Sequence, residues 1–167
     1  MTADLLDPGV RRRLEEIGVD FEVMACDPDL ADTAAFVEAY GVPLDRSANT
    51  IVVASKGAEP THVACIVLAT TSLDVNRAVR REMGVRKASF AGADPVRALT
   101  GMEIGGVTPF GLPEGMPILV DARVMDAPWI VLGGGNRSSK LKVAPDALRR
   151  LPALRVVDGL AALKRDT

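Results

Sequence analysis

His62 is the only histidine of the chain, and Cys26 and Cys65 are its only cysteines. A Ser-His-Asp or Cys-His nucleophilic site would have to be built on that one imidazole, which opens a β-branched run beside a turn. Cys65 stands inside the apolar run Val63 to Ala69 and reads as a small core hydrophobe. Cys26, next to Asp27-Pro28, reads as the more accessible thiol, and neither cysteine has an activating partner close by in sequence. Asp27, Asp29 and Asp32 cluster, yet Pro28 and a helix start at Asp32 account for them as turn and cap residues. No CxxC pair and no cluster at metal-ligand spacing is present, so neither a metal site nor a disulfide framework is expected.

Two glycine-rich stretches remain. Gly133-Gly134-Gly135-Asn136-Arg137-Ser138 has the offsets of a dinucleotide loop, but a short strand, Leu141 to Val143, follows it instead of a helix. It reads as a tight turn between strands. Ser139 stands where a phosphate-binding loop needs glycine before Lys140. Gly101 to Pro113 differs in kind, because its internal glycines and prolines fix an unusual backbone path. Such a loop can present backbone amides to a developing oxyanion or a ribose without any ionisable side chain.

The elements that position these residues follow from period and punctuation. Asp7-Pro8 caps and opens a helix that Gly18 ends. Phe21 to Met24 alternates like a strand, and a second helix from Asp32-Thr33 carries Phe36, Ala39 and Tyr40 on one face before Gly41 stops it. Thr50 to Ala54 and Val63 to Ala69 form an antiparallel hairpin across Ser55 to Pro60. A basic amphipathic helix spans roughly Leu73 to Met83, with Arg77, Arg80 and Arg81 on its polar face, and Lys87 to Ala91 is a short strand. Asp94-Pro95 opens a brief helix, Ile118 to Val120, Trp129 to Leu132 and Leu141 to Val143 are strands, and Pro145-Asp146 opens a terminal helix. The pattern is α+β without internal repeats.

The 167 residues suit one compact domain, 1–167, large enough to fold on its own core. Hydrophobic residues at 48%, charged residues at 25% and a mean hydropathy of +0.18 are those of an ordered globular protein. A net charge of −2 argues against a general nucleic-acid coat, and 4% aromatics argue against base stacking on many side chains. No targeting segment and no run long enough to span a bilayer is read, so a reducing cytoplasm is the expected location and no membrane is expected as a partner.

On these residues the chain resembles the YbaK/EbsC family, the prolyl-tRNA-synthetase-associated or ProX-type domain of aminoacyl-tRNA deacylases. The resemblance is carried by Phe21-Glu22-Val23, Thr33-Ala34-Ala35 with Gly41-Val42, Thr50-Ile51-Val52-Val53, Leu73-Asp74-Val75 and Lys87-Ala88-Ser89. Thr100-Gly101, Gly105-Gly106-Val107-Thr108-Pro109-Phe110-Gly111, Val120-Asp121 and Gly133-Gly134-Gly135 complete it, and the Gly105 to Gly111 stretch is the most specific part. It implies a single mixed domain, a curved central sheet wrapped by helices, that hydrolyses the ester joining a wrong, small amino acid (Ala, Cys, Ser or Thr) to the 3′ end of a tRNA. With no synthetase attached, it implies action in trans. The partners implied are aminoacyl-tRNA and a tRNA synthetase, not DNA, and no cofactor is implied.

By the same resemblance the loop from Gly105 through Gly106, Val107 and Thr108 to Pro109 holds the terminal adenosine and the aminoacyl carbonyl, with Thr33, Gly101 and Gly134 among the substrate-binding residues. Cys26 borders the amino-acid pocket, and water is activated with help from a ribose hydroxyl. Arg77, Arg80, Arg81 and Lys87 become contacts for acceptor-stem phosphates. The departure is at Asn49, where the family usually has a lysine; Asn offers hydrogen bonds without charge. Lys140, on the last strand of the pattern, is the candidate to supply the missing cation, with Asn49 orienting the ester or the water. The rival reading is a binding module for aminoacyl-tRNA or a nucleotide that has lost hydrolysis with its lysine; a third is a hydrolase of another ester.

Overall fold

The computed structural model describes residues 5–164, so residues 1–4 and 165–167 of the expected domain lie outside the described residues. Helix α1 (Pro8–Ile17) begins as the sequence dictates: the Asp7 carboxylate accepts from the amides of Gly9 and Val10, Pro8 takes the first position, and Gly18 closes the helix at φ +69°. Its buried residues, Val10 and Leu14, seal one side of the main core.

The hairpin is β2 (Ala48–Ser55) and β3 (His62–Leu68), in register Asn49 to Val67 and Ile51 to Cys65. β3 runs parallel to β6 (Ile118–Asp121), and β6 parallel to β9 (Leu154–Val157). β5 (Ala88–Phe90) pairs with the far end of β2, completing a mixed five-stranded sheet in the order β5-β2-β3-β6-β9. Successive side chains point to opposite faces of a strand. Accordingly Val63, Cys65 and Val67 pack under Val75, Ala78 and Val79, whereas Ala64, Ile66 and Leu68 face Leu14, Phe110 and Leu148.

A second sheet holds β1 (Glu22–Ala25), β8 (Ser139–Val143) and β7 (Ile130–Gly133), in the order β1-β8-β7. The short strands β4 (Thr71–Leu73) and β10 (Ala161–Leu163) form a two-stranded ribbon. Helix α2 (Thr33–Tyr40) buries Phe36 with Cys26, Ala31, Val42 and Val131.

Several local readings are corrected. The basic helix is irregular: a π-helical turn, Val75–Val79, runs into α3 (Arg80–Met83). The segment from Pro145 is a 3-10 helix, Pro145–Arg150, and Lys87 precedes β5 rather than joining it. The strand read as Leu141 to Val143 starts at Ser139, which brings Lys140 into it. Beyond these lie α4 (Ala93–Thr100) and α5 (Ala122–Met125).

The two larger sheets meet at β2. Its far end, Val53 to Ser55, pairs with β5, and Ser47, just before β2, bridges Val131 of β7. Between these contacts Asn49, Thr50 and Ile51 have no strand opposite them, among the described residues, on the side away from β3. The sheet edge is open there, and unpaired strand edges present main-chain donors and acceptors.

Candidate functional site

The opening at the β2 edge is a cavity of about 350 Å³. Its floor is Ser47 to Val52, one wall is Ala31, Asp32, Thr33 and Phe36 at the start of α2, and a second is Ile104, Gly105 and Val107 of the glycine-rich loop. Val131, Leu132, Gly133 and Lys140 close the back, and Phe90, Ala91 and Val96 complete the ring. Mostly apolar walls with a few convergent polar groups are the usual make-up of a small-ligand site.

Asn49 and Lys140, far apart in sequence, both line this cavity. Thr33 Oγ1 donates to Asn49 Oδ1 at 2.5 Å, which fixes the Asn49 amide and leaves its Nδ2 as a donor. Lys140 is 7% exposed. Its Nζ donates to the Ala31 carbonyl at 2.7 Å and the Gly105 carbonyl at 2.8 Å, and lies 5.2 Å from the centre of the Phe36 ring. No carboxylate pairs with it among the described residues, so carbonyl dipoles and an aromatic face stand in for water and a counter-ion. Burial pulls the pKa of this ammonium below the ordinary lysine value.

Arg137 was legible only as part of a turn, and it carries unexpected contacts. Its Nε donates to the Pro28 carbonyl at 3.0 Å, and its Nη1 to the Ile104 carbonyl at 2.7 Å and Asp32 Oδ1 at 3.1 Å. Asp32 takes the N-cap position of α2 as read, but its side chain makes no hydrogen bond to the first turn and pairs with Arg137 instead.

The glycines serve each other more than a ligand. The Gly135 amide donates to the Gly106 carbonyl at 2.7 Å, and the Gly106 amide to the Glu103 carbonyl at 2.9 Å. A methyl group on Gly106 would overlap the Asn136 backbone, one on Gly133 the Val107 carbonyl, and one on Gly134 the Ser139 side chain. The two glycine motifs are thus pressed backbone to backbone, which requires the absence of Cβ. Gly105 has φ +94° and would meet the Arg137 guanidinium with any side chain.

Of the sequence-derived residues, Thr33, Asn49, Gly105, Val107 and Lys140 line the cavity. Gly106, Thr108, Pro109 and Gly134 do not line it; Thr108 is fully buried and its hydroxyl has no partner among the described residues. Gly101 ends α4 at φ +74° and faces another groove, beside Arg12 and Arg13. Cys26, expected to be the accessible thiol, is buried against Phe36, and burial raises its pKa against the opposing pull of Lys140. Arg77, Arg81 and Lys87 are exposed; Arg80 is half-buried, with Nη1 donating to the Asn76 carbonyl. Phe90 and Ile104, which sequence reasoning passed over, are exposed apolar residues at the cavity's edge.

The aminoacyl-tRNA editing domain model matches residues 27–151, which include every wall of the cavity. The chain belongs to the aminoacyl-tRNA editing domain family. An uncharacterized protein of Bacillus subtilis, YwhH, is 27% identical over 139 residues, covering 83% of this chain and 86% of that protein. Among solved structures, the hypothetical protein APE2540 shares the fold at a TM-score of 0.81 with 21% identity, over 92% of this chain and 99% of that one. A protein proposed as a trans-editing enzyme for prolyl tRNA synthetase superposes at 0.77 with 25% identity, over 96% and 99%. The mixed sheet flanked by helices is that of these structural neighbours. Among the described residues no helix is long and apolar enough to cross a membrane, and no three His, Cys, Asp or Glu are grouped to hold a metal ion.

Proposed function

We propose that this editing domain acts in trans, in the cytoplasm, to hydrolyse the ester between a small mischarged amino acid, of the Ala, Cys, Ser or Thr type, and the 3′ end of a tRNA. The observation that carries the reading is the convergence of Asn49 and Lys140 on one cavity inside the matched segment. The mostly apolar walls suit a small side chain, and the open β2 edge leaves room for the ester beside Asn49. An aminoacyl ester is already activated, so positioning, a bound water and stabilisation of the oxyanion suffice for hydrolysis.

In this mechanism Asn49 Nδ2, its amide fixed by Thr33, orients the ester carbonyl or the water. Because the Gly106 amide is committed to Glu103, amide donation from the loop falls to Gly105 and Val107, the loop residues that line the cavity along with Ile104. Lys140 places positive charge behind the developing oxyanion. The attacking water is activated with help from a ribose hydroxyl of the substrate, which takes the water's proton as it passes its own to the departing ribose oxygen, so that the ester C–O bond breaks to give free amino acid and a 3′-hydroxyl. Arg77, Arg81 and Lys87, with Arg80 beside them, receive acceptor-stem phosphates, and a tRNA synthetase is the second partner. The rival, a module that binds aminoacyl-tRNA or a nucleotide without cleaving it, draws on one observation: Lys140 spends two of its three N–H donors on backbone carbonyls.

Single-turnover deacylation decides between them, using tRNA(Pro) charged with Ala, Cys or Ser beside cognate Pro-tRNA, with wild type and Asn49→Ala. Hydrolysis of a mischarged species that falls with Asn49→Ala is the expected result. Binding of the panel without hydrolysis assigns the chain to the rival reading.

A further inference from the structure

Arg137 and Lys140 address the same two segments in parallel. Each donates once to a carbonyl of the stretch before or at the start of α2, Pro28 for Arg137 and Ala31 for Lys140. Each donates once more to a carbonyl of the glycine-rich loop, Ile104 for Arg137 and Gly105 for Lys140. The receiving carbonyls are adjacent in the loop and three residues apart in the other segment. No backbone hydrogen bond joins these two segments among the described residues, so the cations are their polar connection. Ala31 of the one segment and Ile104 and Gly105 of the other line the cavity.

We propose that Arg137 and Lys140 are positioning residues: a two-cation clasp that holds the loop at Ile104 and Gly105 against the segment from Pro28 to Ala31 and thereby sets the width of the cavity. Two of the three N–H donors of Lys140 go to the walls, and its charge acts on the oxyanion from behind them. Each cation is fixed at both ends, and Gly105 lacks a side chain because the Arg137 guanidinium occupies that space. Hydrogen bonds from charged donors are the stronger class, and two in parallel hold a loop in register where one would leave a pivot. The clasp deepens the editing reading by naming what keeps Asn49 and the loop amides at a constant separation, and its existence does not depend on hydrolysis.

Two loop amides report on it: Gly106, which donates to Glu103, and Gly135, which donates to Gly106. Native-state hydrogen exchange in Arg137→Met, Lys140→Met and the double variant is expected to speed exchange at both amides at least tenfold, with the β2–β3 ladder amides unchanged. Arg137→Lys is included as a milder variant that stays folded: one ammonium reaching for three acceptors weakens the clasp, so an intermediate rise is expected. Unchanged exchange at Gly106 and Gly135 in the folded variants overturns the proposal. If wild type deacylates the panel, clasp variants are expected to lose kcat more than they raise KM, with partial rescue by Lys140→Arg. An inactive wild type with accelerated exchange in the variants keeps the clasp and removes the hydrolase reading; full activity with unchanged exchange does the reverse.

Discussion

The Thr33 hydroxyl donates to Asn49 Oδ1, linking the first residue of α2 to the strand that floors the cavity. This bond turns a freely rotating amide into a directed donor. On the proposed mechanism, removing Asn49 removes a donor to the reacting ester, and a loss on the order of 10²–10³ in kcat, as for oxyanion-type contacts, is expected. Removing only the constraint, with Thr33→Val, costs a hydrogen bond and is expected to lower kcat about tenfold. Thr33→Ser keeps the hydroxyl and restores most of the rate. Single-turnover rates of the three variants test the order; a Thr33→Val enzyme as fast as wild type would show that Asn49 needs no orientation.

Gly105 and Gly101 both adopt positive φ, +94° and +74°, but their surroundings differ. Nothing lies within 4 Å of a methyl placed on Gly101, whereas one on Gly105 meets Arg137. Gly101→Ala therefore bears backbone strain alone, about 1 kcal/mol. Gly105→Ala adds displacement of the guanidinium, and about 2–3 kcal/mol is expected. Urea unfolding measures both, and only Gly105→Ala is expected to reduce deacylation.

The same pair shows how far the sequence could be read. Asp7-Pro8 and Gly18 punctuate α1 through contacts within a few residues, and the β-branched runs of β2 and β3 carry their own pairing, so these were legible. The Gly105-Gly106 and Gly133 to Gly135 motifs were legible as special backbone, but not as partners, because at Gly105, Gly106 and Gly133 what fills the missing Cβ space belongs to the other stretch, distant along the chain. Lys140 was found through a resemblance and its spacing after the glycine turn; Arg137, inside that turn, carried no periodic signal. Its Nε and Nη1 donate to two carbonyls and one carboxylate from distant segments, a pattern visible only after folding. The ribbon strands β4 and β10 were missed because three-residue strands have too few alternations to register.

Arg77 and Arg81 stand exposed on the helical segment that covers one face of the main sheet, and Lys87 precedes β5, whose last residue, Phe90, lines the cavity. If they meet phosphates, their contribution is additive and screened by salt. Each replacement by Gln is expected to lower the slope of log K against log salt for tRNA by about 1, with no effect on hydrolysis once tRNA is saturating. Filter binding over a range of salt reads the slope. Equal slopes for wild type and Arg77→Gln/Arg81→Gln would place the tRNA on another face.

Cys65 faces Ile51 across the hairpin and is fully buried, and burial pushes its thiol up to about 12 from an ordinary 9.0. In the unfolded chain the thiol ionises near its ordinary value, while the folded protein keeps the proton. Between those two values the native state binds more protons than the unfolded state, so the contribution of Cys65 to stability is fully present below about pH 9 and declines as pH rises. One pH unit into that window corresponds to about 1.4 kcal/mol. Cys65→Ala lacks the titration but loses some packing, so wild type is expected to be the more stable at pH 7 and the gap to close by about 1 kcal/mol at pH 10. Urea unfolding of both proteins at the two pH values measures it, and other titrating groups cancel in the difference. A thiol held protonated in this way is also no nucleophile at neutral pH. Iodoacetamide at pH 7.5 is therefore expected to leave Cys65 unmodified in the native protein, and Cys65→Ala to leave deacylation intact; loss of hydrolysis in a folded Cys65→Ala protein would instead point to chemistry at that thiol.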